Sequence, residues 1–175
     1  MAKILLLFST TDGQTQLIVE KISFFCKVNN DVTVKPLRKF NYADLINYDK
    51  VVLGASIRYG KHQDEVDRFI KSKLPLLQEK ISFFFSVNVV ARKPNKNSPH
   101  TNPYMKKFLK KLNWHPSHTE VFAGKVDYPS YGFFDKHIIR FIMWITKGPT
   151  DLTMCHEFTD WEKVERFAAL INKST

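Results

Sequence analysis

The sequence is poor in cysteine and in long apolar runs, and each shortage excludes a class of protein. The two cysteines, Cys26 and Cys155, lie far apart and form no C-x-x-C pair. This excludes a disulfide scaffold and a cysteine-based zinc site, and it favours a reducing, cytosolic compartment. The N-terminal apolar run Ile4–Phe8 is too short for the core of a signal peptide. No run reaches the ~18 apolar residues of a spanning helix, so we expect a chain that is soluble or lies on a membrane.

Acidic residues are also scarce, since 17 Asp and Glu face 27 Lys and Arg and leave a net charge of +10. Such an excess favours an anionic partner: nucleic acid, acidic lipid or an acidic small molecule. Residues 91–111 hold seven of the basic residues and no acidic one. A charged run is usually a solvated face, but this concentration favours a binding surface for an anionic membrane. Nucleic acid is disfavoured because few aromatic residues interleave with the basic ones and no recognition motif is present.

The sequence does contain a regular alternation of short apolar runs with longer amphipathic segments, which is typical of βαβ units. It predicts strands at residues 3–8, 31–37, 50–55, 81–87 and 120–124. It predicts helices at residues 15–27, 64–77, 103–112 and 159–173. A capping box of Thr159 and Glu162 is expected to start the last helix. No repeat or linker divides residues 1–175, so we predict one α/β domain with a doubly wound, five-stranded parallel sheet.

The first strand runs directly into a segment with the parts of a phosphate-binding loop. These residues are Ser9, Thr10, Thr11, Asp12, Gly13, Gln14 and Thr15. Hydroxyl groups and free amides at a helix start bind an anion without needing a cation. The segment is neither a Walker loop nor G-x-G-x-x-G, so a dinucleotide is disfavoured. An ordinary helix cap is the alternative, but the position after strand one favours the phosphate site. Asp12 would repel a phosphate, so we expect it to point away and cap the turn.

The ends of the third and fourth strands are expected to flank whatever lies above that phosphate. The residues concerned are Ser56, Ile57, Arg58, Tyr59 and Gly60 after strand three, and Ser86, Val87 and Asn88 after strand four. Tyr59 could stack on a planar ring, and Arg58 could face a ring carbonyl or a substrate carboxylate. The alternative is that both are solvated loop residues.

A long insertion, at about residues 125–154, follows strand five and is rich in aromatic residues. On a helix that begins near Phe134, one face would hold Ile138, Phe141, Ile142 and Ile145, as an interfacial helix requires. Two alternatives stay open: these residues close the core over the sheet edge, or they wall a cavity for a large apolar substrate. The residues predicted to contact substrate or membrane are Arg92, Lys93, Tyr128, Tyr131, Phe133, Phe134, Arg140 and Trp144. The six histidines form no pattern of metal ligands, so no metal site is predicted.

Four segments together, Ser9–Thr15, Gly54–Gly60, Ser86–Pro94 and Thr159–Trp161, resemble the flavodoxin-like protoporphyrinogen IX dehydrogenases that use quinone. The resemblance spans nearly the whole chain, although flavodoxins usually lack an acidic residue at the position of Asp12. It implies one non-covalent FMN and oxidation of protoporphyrinogen IX to protoporphyrin IX in haem synthesis. It also implies electron transfer to menaquinone or ubiquinone, and peripheral attachment to the cytoplasmic face of a bacterial inner membrane.

Two other functions are compatible with the same motifs. A flavodoxin-type electron carrier would use the same cofactor, but carriers of that kind are commonly acidic, whereas this chain carries a net charge of +10. A flavin-dependent NAD(P)H–quinone reductase is the second. The sequence identifies no catalytic base, and it leaves assembly into a homo-oligomer open.

Overall fold

Strands and helices alternate along the chain in the computed structural model, which describes residues 1–174. The strands are β1 (Lys3–Ser9), β2 (Asp31–Pro36), β3 (Lys50–Ser56), β4 (Ile81–Val87), β5 (His118–Phe122), β6 (Lys125–Asp127) and β7 (Cys155–Glu157). The helices are α1 (Gln14–Cys26), α2 (Asp64–Glu79), α3 (Pro103–Leu112), α4 (Phe133–Ile145) and α5 (Trp161–Lys173). All five predicted strands and four predicted helices are present, with ends within two residues of those expected.

The main sheet is parallel, with strand order β2-β1-β3-β4-β5. This confirms the predicted doubly wound fold. The order reverses between β1 and β3, and the loops that leave these neighbouring strands diverge to opposite faces of the sheet. A crevice opens there beyond the carboxyl ends of the strands, which is where such sheets bind ligands.

Helices cover both faces of the sheet, as the aromatic run of β4 shows. Phe84 packs on one face with residues of α2 and α3, whereas Phe83 and Phe85 pack on the other with residues of α1 and α5. All three phenylalanines are fully buried. A strand that is buried on both faces reads as a continuous apolar run, which is why residues 81–87 show no alternation.

The start of α5 differs from the prediction. Asp160, and not Thr159, caps the helix, because its carboxylate accepts a hydrogen bond from the backbone amide of Lys163 at 2.9 Å. The Thr159 hydroxyl instead accepts a hydrogen bond from Gln14 Nε2 at 2.9 Å. The predicted capping box was therefore wrong, because the Thr159 hydroxyl binds Gln14 and does not cap the helix.

The insertion is an ordered unit built around α4. Its two ends pair as the antiparallel strands β6 and β7, and the amide of Phe158 donates to the carbonyl of Gly124 at 2.9 Å. A small core of Val126, Tyr128 and Met143 fills it. No helix among residues 1–174 is long and apolar enough to cross a bilayer.

His62 is a buried histidine at the foot of α2, and it makes stability depend on pH. Its ring packs edge-on against Phe84 and Phe108, and its Nε2 lies 3.0 Å from the hydroxyl oxygen of Ser86. Burial lowers the pKa of His62 from its ordinary 6.5 to about 4. Between these two values the unfolded chain binds a proton that the folded chain does not, so the free energy of unfolding falls as the pH falls.

We expect the free energy of unfolding to drop by about 2 kcal/mol more in wild type than in His62→Asn between pH 6.5 and pH 5, because only wild type must protonate this buried ring on unfolding. Urea denaturation of both proteins at the two pH values measures the difference. Parallel losses in the two proteins would contradict the assignment.

Candidate functional site

A cleft of about 910 Å³, counting the part that is open to solvent, lies beyond the carboxyl ends of the central strands. The loops after β1, β3, β4 and β5 form its floor, and the insertion forms its roof. The structure brings the following predicted residues together along its wall: Thr10, Asp12, Gln14, Thr15, Ser56, Ile57, Arg58, Tyr59, Gly60, Val87, Asn88 and Tyr131.

The start of α1 has the features of an anion site. Gly13, with a φ of 86°, turns the chain into the helix, and no side chain caps the helix. The first amide that bonds back within the helix is that of Leu17, to the carbonyl of Gly13 at 3.2 Å, so the amides of the preceding turn stay available. The first turn contains no acidic residue. An uncapped helix start of this kind favours negative charge.

Three buried polar atoms beside this helix start have no hydrogen-bond partner in the described chain: Thr15 Oγ1, Gln14 Oε1 and Ser56 Oγ. All three residues line the cleft. Buried polar atoms in folded proteins are nearly always paired. These three atoms therefore indicate a ligand that carries an anionic group and further polar groups.

Four residues of the predicted loops do not line the cleft. The Ser9 hydroxyl donates to Glu65 Oε1 at 2.6 Å, and the Thr11 hydroxyl accepts from Gln63 Nε2 at 2.9 Å. The hydroxyl oxygen of Ser86 faces His62 and Asn88 below the floor of the cleft. These three hydroxyls hold α2 and the strand ends in place, and Gly13 contributes only its backbone conformation.

Asp12 does not cap its own turn, contrary to expectation. The Thr10 hydroxyl does so, by accepting a hydrogen bond from the Gly13 amide at 3.0 Å. The Asp12 carboxylate is instead paired with Arg58, at 2.7 Å between Oδ2 and Nη1. Asp12 is thus drawn toward the loop after β3, because a guanidinium is a stronger partner for a carboxylate than a backbone amide.

Arg58 and Tyr59 join this loop to the insertion. Arg58 Nη2 donates to Asp135 Oδ2 at 2.8 Å, and the Tyr59 hydroxyl donates to Asp135 Oδ1. Tyr59 and Gly60 both have positive φ, 49° and 82°, in a tight turn closed by backbone hydrogen bonds between Arg58 and Lys61. This turn presents both side chains to the first turn of α4.

The pKa values of the cluster follow from burial and from these hydrogen bonds. Burial raises the pKa of Asp12, although Arg58 works in the opposite direction. The hydrogen bond from Tyr59 lowers the pKa of Asp135, and the same bond raises the pKa of the Tyr59 hydroxyl. When both carboxylates are ionised, one guanidinium faces two negative charges, so the cluster carries a net negative charge.

The roof of the cleft is largely apolar. Ile139, Ile142 and Met143 of α4 and Tyr104 of α3 face it, together with Tyr131. The Tyr131 ring also lies over the Arg58 guanidinium, at 5.1 Å from the ring centroid. Such a roof favours a ligand with an extended apolar part.

Two residues predicted to contact substrate or membrane have structural roles instead. Tyr128 is fully buried and donates its hydroxyl hydrogen to the carbonyl of Pro149 at 2.8 Å. Arg92 donates from Nη2 to the carbonyl of Thr146 at 2.8 Å and from Nη1 to that of Val89 at 3.0 Å. Arg92 therefore holds the end of α4 against the loop after β4, and Lys93 beside it does not line the cleft.

The remaining predicted residues lie on the outer surface of α4. Phe133, Phe134 and Trp144 are 72%, 80% and 68% exposed, and Arg140 is exposed as well. Of the apolar face predicted for this helix, Ile138, Phe141 and Ile145 are exposed, whereas Ile142 also lines the cleft. None of these side chains closes the core over the edge of the main sheet.

Sequence reasoning missed Asp135 and Lys125, which bring charge to the site. Asp135 is the acidic residue of the first turn of α4, a position where a carboxylate is ordinarily explained by the helix dipole. An acidic residue that stands alone among aromatic and basic residues, as Asp135 does, could have indicated a specific partner. Lys125 lines the cleft, and the sequence offered no sign of this because the residue starts a strand of only three residues.

Comparison with known proteins agrees with this geometry. The profile of the flavodoxin domain family, "Flavodoxin_5", matches residues 5–153. The chain is 41% identical to the "Protoporphyrinogen IX dehydrogenase [quinone]" of Escherichia coli strain K12, over 95% of this chain and 92% of that protein. It is 44% identical to a protein of the same name from Leishmania major, over 95% of this chain and 73% of that protein.

Solved structures show the same fold at much lower sequence identity. Oxidised flavodoxin 1 from Bacillus cereus is 14% identical and has a TM-score of 0.56, over 99% of this chain and 100% of that one. Two-electron reduced flavodoxin from Megasphaera elsdenii is 16% identical and has a TM-score of 0.55, over 69% of this chain and 85% of that one. The chain belongs to the flavodoxin domain family and, within it, to the group of the quinone-linked protoporphyrinogen IX dehydrogenases.

Proposed function

We propose that this protein uses FMN to oxidise protoporphyrinogen IX to protoporphyrin IX in haem biosynthesis and passes the electrons to a quinone. One observation carries the proposal: the uncapped start of α1, with its unpartnered Thr15 hydroxyl, opens into a cleft roofed by the insertion. The relatives that are 41% and 44% identical over 95% of the chain bear the name of this activity.

The residues present fit FMN. The free amides at the start of α1 and the hydroxyls of Thr10 and Thr15 would hold its phosphate. The unpartnered oxygens of Gln14 and Ser56 would pair with its other polar groups. Its ring would lie between the turn at Tyr59 and the loop that begins at Asn88, both of which line the cleft. When bound, FMN supplies the two-electron chemistry that links a reduced carbon substrate to a quinone.

The chain contributes binding and orientation. Forming protoporphyrin removes six hydrogens from the substrate as three pairs, and each pair reduces one quinone to a quinol. The apolar roof of Ile139, Ile142 and Met143 suits the macrocycle, which is largely hydrocarbon. The cationic residues Arg58 and Lys125, which also line the cleft, suit the carboxylates at its polar edge.

An anaerobic assay tests the proposal against its two rivals. Protoporphyrinogen IX and a quinone are mixed with or without the FMN-loaded protein, and porphyrin fluorescence is followed. We expect porphyrin to form faster with protein, and only when quinone is present. No acceleration would favour an electron carrier, and NADH-driven quinone reduction at a comparable rate would favour a reductase.

We also propose that α4 attaches the protein to an anionic membrane surface, at the cytoplasmic face of the inner membrane in a bacterium. Seven large apolar side chains of this helix are exposed: Phe133, Phe134, Ile138, Phe141, Ile142, Trp144 and Ile145. Exposed basic residues accompany them on α4 and on α3, among them Arg140, Lys106 and Lys107. An apolar face with basic flanks is what an interfacial helix needs, and a membrane would also supply the quinone.

Replacing Phe133, Phe134 and Trp144 together with serine is expected to reduce sedimentation with phosphatidylglycerol vesicles by about 10-fold or more, because burial of each ring contributes about 1.5–3 kcal/mol. Phe24→Ser, at a residue that is 69% exposed on α1, is the matched control and should sediment like wild type. Unchanged sedimentation of the triple variant would place the contact on residues 91–111 alone.

A further inference from the structure

We propose that Arg58 binds a carboxylate of the substrate, and that this carboxylate replaces Asp135 on the Arg58 guanidinium. The inference rests on the proposed function, because protoporphyrinogen IX carries two propionate groups. Arg58 would thus determine specificity for a carboxylate substrate. Asp135 would compete with that carboxylate for the same donors of Arg58.

Arg58 is the cation of the cleft that is best arranged to bind a carboxylate. Its guanidinium lies over the rings of Tyr59 and Tyr131, at 5.3 and 5.1 Å from their centroids, and this contact fixes the plane of the guanidinium. Its two Nη atoms already bind carboxylate oxygens at 2.7 and 2.8 Å. The other cation lining the cleft, Lys125, is a single point charge, 3.8 Å from Asp127, and cannot present two parallel donors.

Of the two carboxylates on Arg58, that of Asp135 is the one that can exchange. Asp12 belongs to the loop between β1 and α1, and its side chain is 32% exposed. The side chain of Asp135 is 43% exposed, and its only hydrogen bonds from other side chains in the described chain come from Arg58 and Tyr59. Because Asp135 is the more exposed of the two carboxylates, it can turn to water at a smaller cost than Asp12.

Exchange also preserves the number of carboxylates that Arg58 binds. A propionate that replaces Asp135 leaves Arg58 with two carboxylates, and the Tyr59 hydroxyl can donate to the incoming group as it does to Asp135. The propionate would enter beside the roof, since Asp135 lies on the same helix as Ile139 and Met143. The macrocycle would then extend beneath the apolar roof.

Kinetics with a diacid and a diester substrate test the proposal. Each variant is loaded with FMN to the same flavin absorbance, and the KM values for protoporphyrinogen IX and for its dimethyl ester are compared. Arg58→Gln should raise the KM of the diacid by about 10-fold, the loss of one charge-assisted carboxylate contact, with the ester changed less than about twofold. Asp135→Asn should lower the KM of the diacid by about threefold or more and leave the ester unchanged, because a competitor is removed.

Two matched variants control for net charge. Lys61→Gln removes a positive charge from the same turn, at a side chain that is 73% exposed. Asp151→Asn removes a negative charge from the same insertion and keeps an oxygen to accept from Thr153, as the carboxylate does. Both should leave the diacid-to-ester ratio of KM values as in wild type.

The proposal is overturned if Arg58→Gln affects diacid and ester equally, or if Asp135→Asn leaves the KM of the diacid unchanged or raises it. A wild-type protein that turns over neither substrate would refute the proposed function instead. In that event, equilibrium binding of protoporphyrin IX and its dimethyl ester, followed by porphyrin fluorescence, decides on Arg58 and Asp135 by the same criteria without turnover.

Discussion

Replacing Thr15 with valine is expected to weaken FMN binding by about 10- to 100-fold while the fold stays intact. The Thr15 hydroxyl is buried at the start of α1 and has no partner in the described chain. Valine has nearly the same shape, so the change removes one hydrogen bond to a charged group, which is worth roughly 1.5–3 kcal/mol. Quenching of flavin fluorescence on titration of the apoprotein measures the affinity, and thermal unfolding checks the fold.

Riboflavin and Thr11→Val are the controls for this result. Riboflavin lacks the phosphate, so its affinity should be the same for wild type and Thr15→Val. The Thr11 hydroxyl is exposed and paired with Gln63, so Thr11→Val should bind FMN like wild type. If Thr15→Val lost affinity for riboflavin as strongly as for FMN, the hydroxyl would contact another part of the cofactor.

Adding a single methyl group at Gly54 is expected to destabilise the protein by about 1–3 kcal/mol and to lower the melting temperature by roughly 2 to 12 °C. Gly54 lies opposite Phe85 in the pairing of β3 with β4. A Cβ at Gly54 would lie 2.2 Å from Phe85 Cζ. Neither group has room to move, because Phe85 is fully buried between the sheet and its covering helices. Thermal and urea unfolding of Gly54→Ala measure the loss.

A second glycine and a double variant make this prediction specific. Gly132→Ala should have little effect, because nothing lies within 4 Å of a Cβ at that position and its φ of −61° suits any residue. Phe85→Leu in the Gly54→Ala background should cost less than the sum of the two single changes, since it removes the clashing ring. Strict additivity would show that the clash is not the cause.

The elements of the main sheet could be predicted because their signals are local. Continuous apolar runs mark buried strands, and the ends of parallel strands meet at one edge of a sheet, so the motif residues after β1, β3 and β4 were expected near one another. The strands β6 and β7 could not be predicted. Each has only three residues, and each exists because it pairs with a segment about thirty residues away in the chain.

Partners that lie far apart in sequence decide which predicted residues reach the cleft. Ser9 and Thr15 are both hydroxyl residues of one segment, but the Ser9 hydroxyl already donates a hydrogen bond to Glu65, 56 residues away. The link from Arg58 to Asp135 spans 77 residues. A single sequence shows which side chains are suited to bind an anion, whereas only the fold shows which of them are already satisfied.

The pairing of β6 with β7 closes the insertion at its base, so the roof of the cleft is attached to the main sheet at one point of the fold. The insertion begins after Gly124 and ends before Phe158, and a backbone hydrogen bond of 2.9 Å joins these two residues. A segment of different length or composition could therefore replace the residues between β6 and β7 without shifting the register of the five-stranded sheet. Exchanging this segment would change the apolar roof and the exposed surface of α4, while the strands of the main sheet keep their pairing.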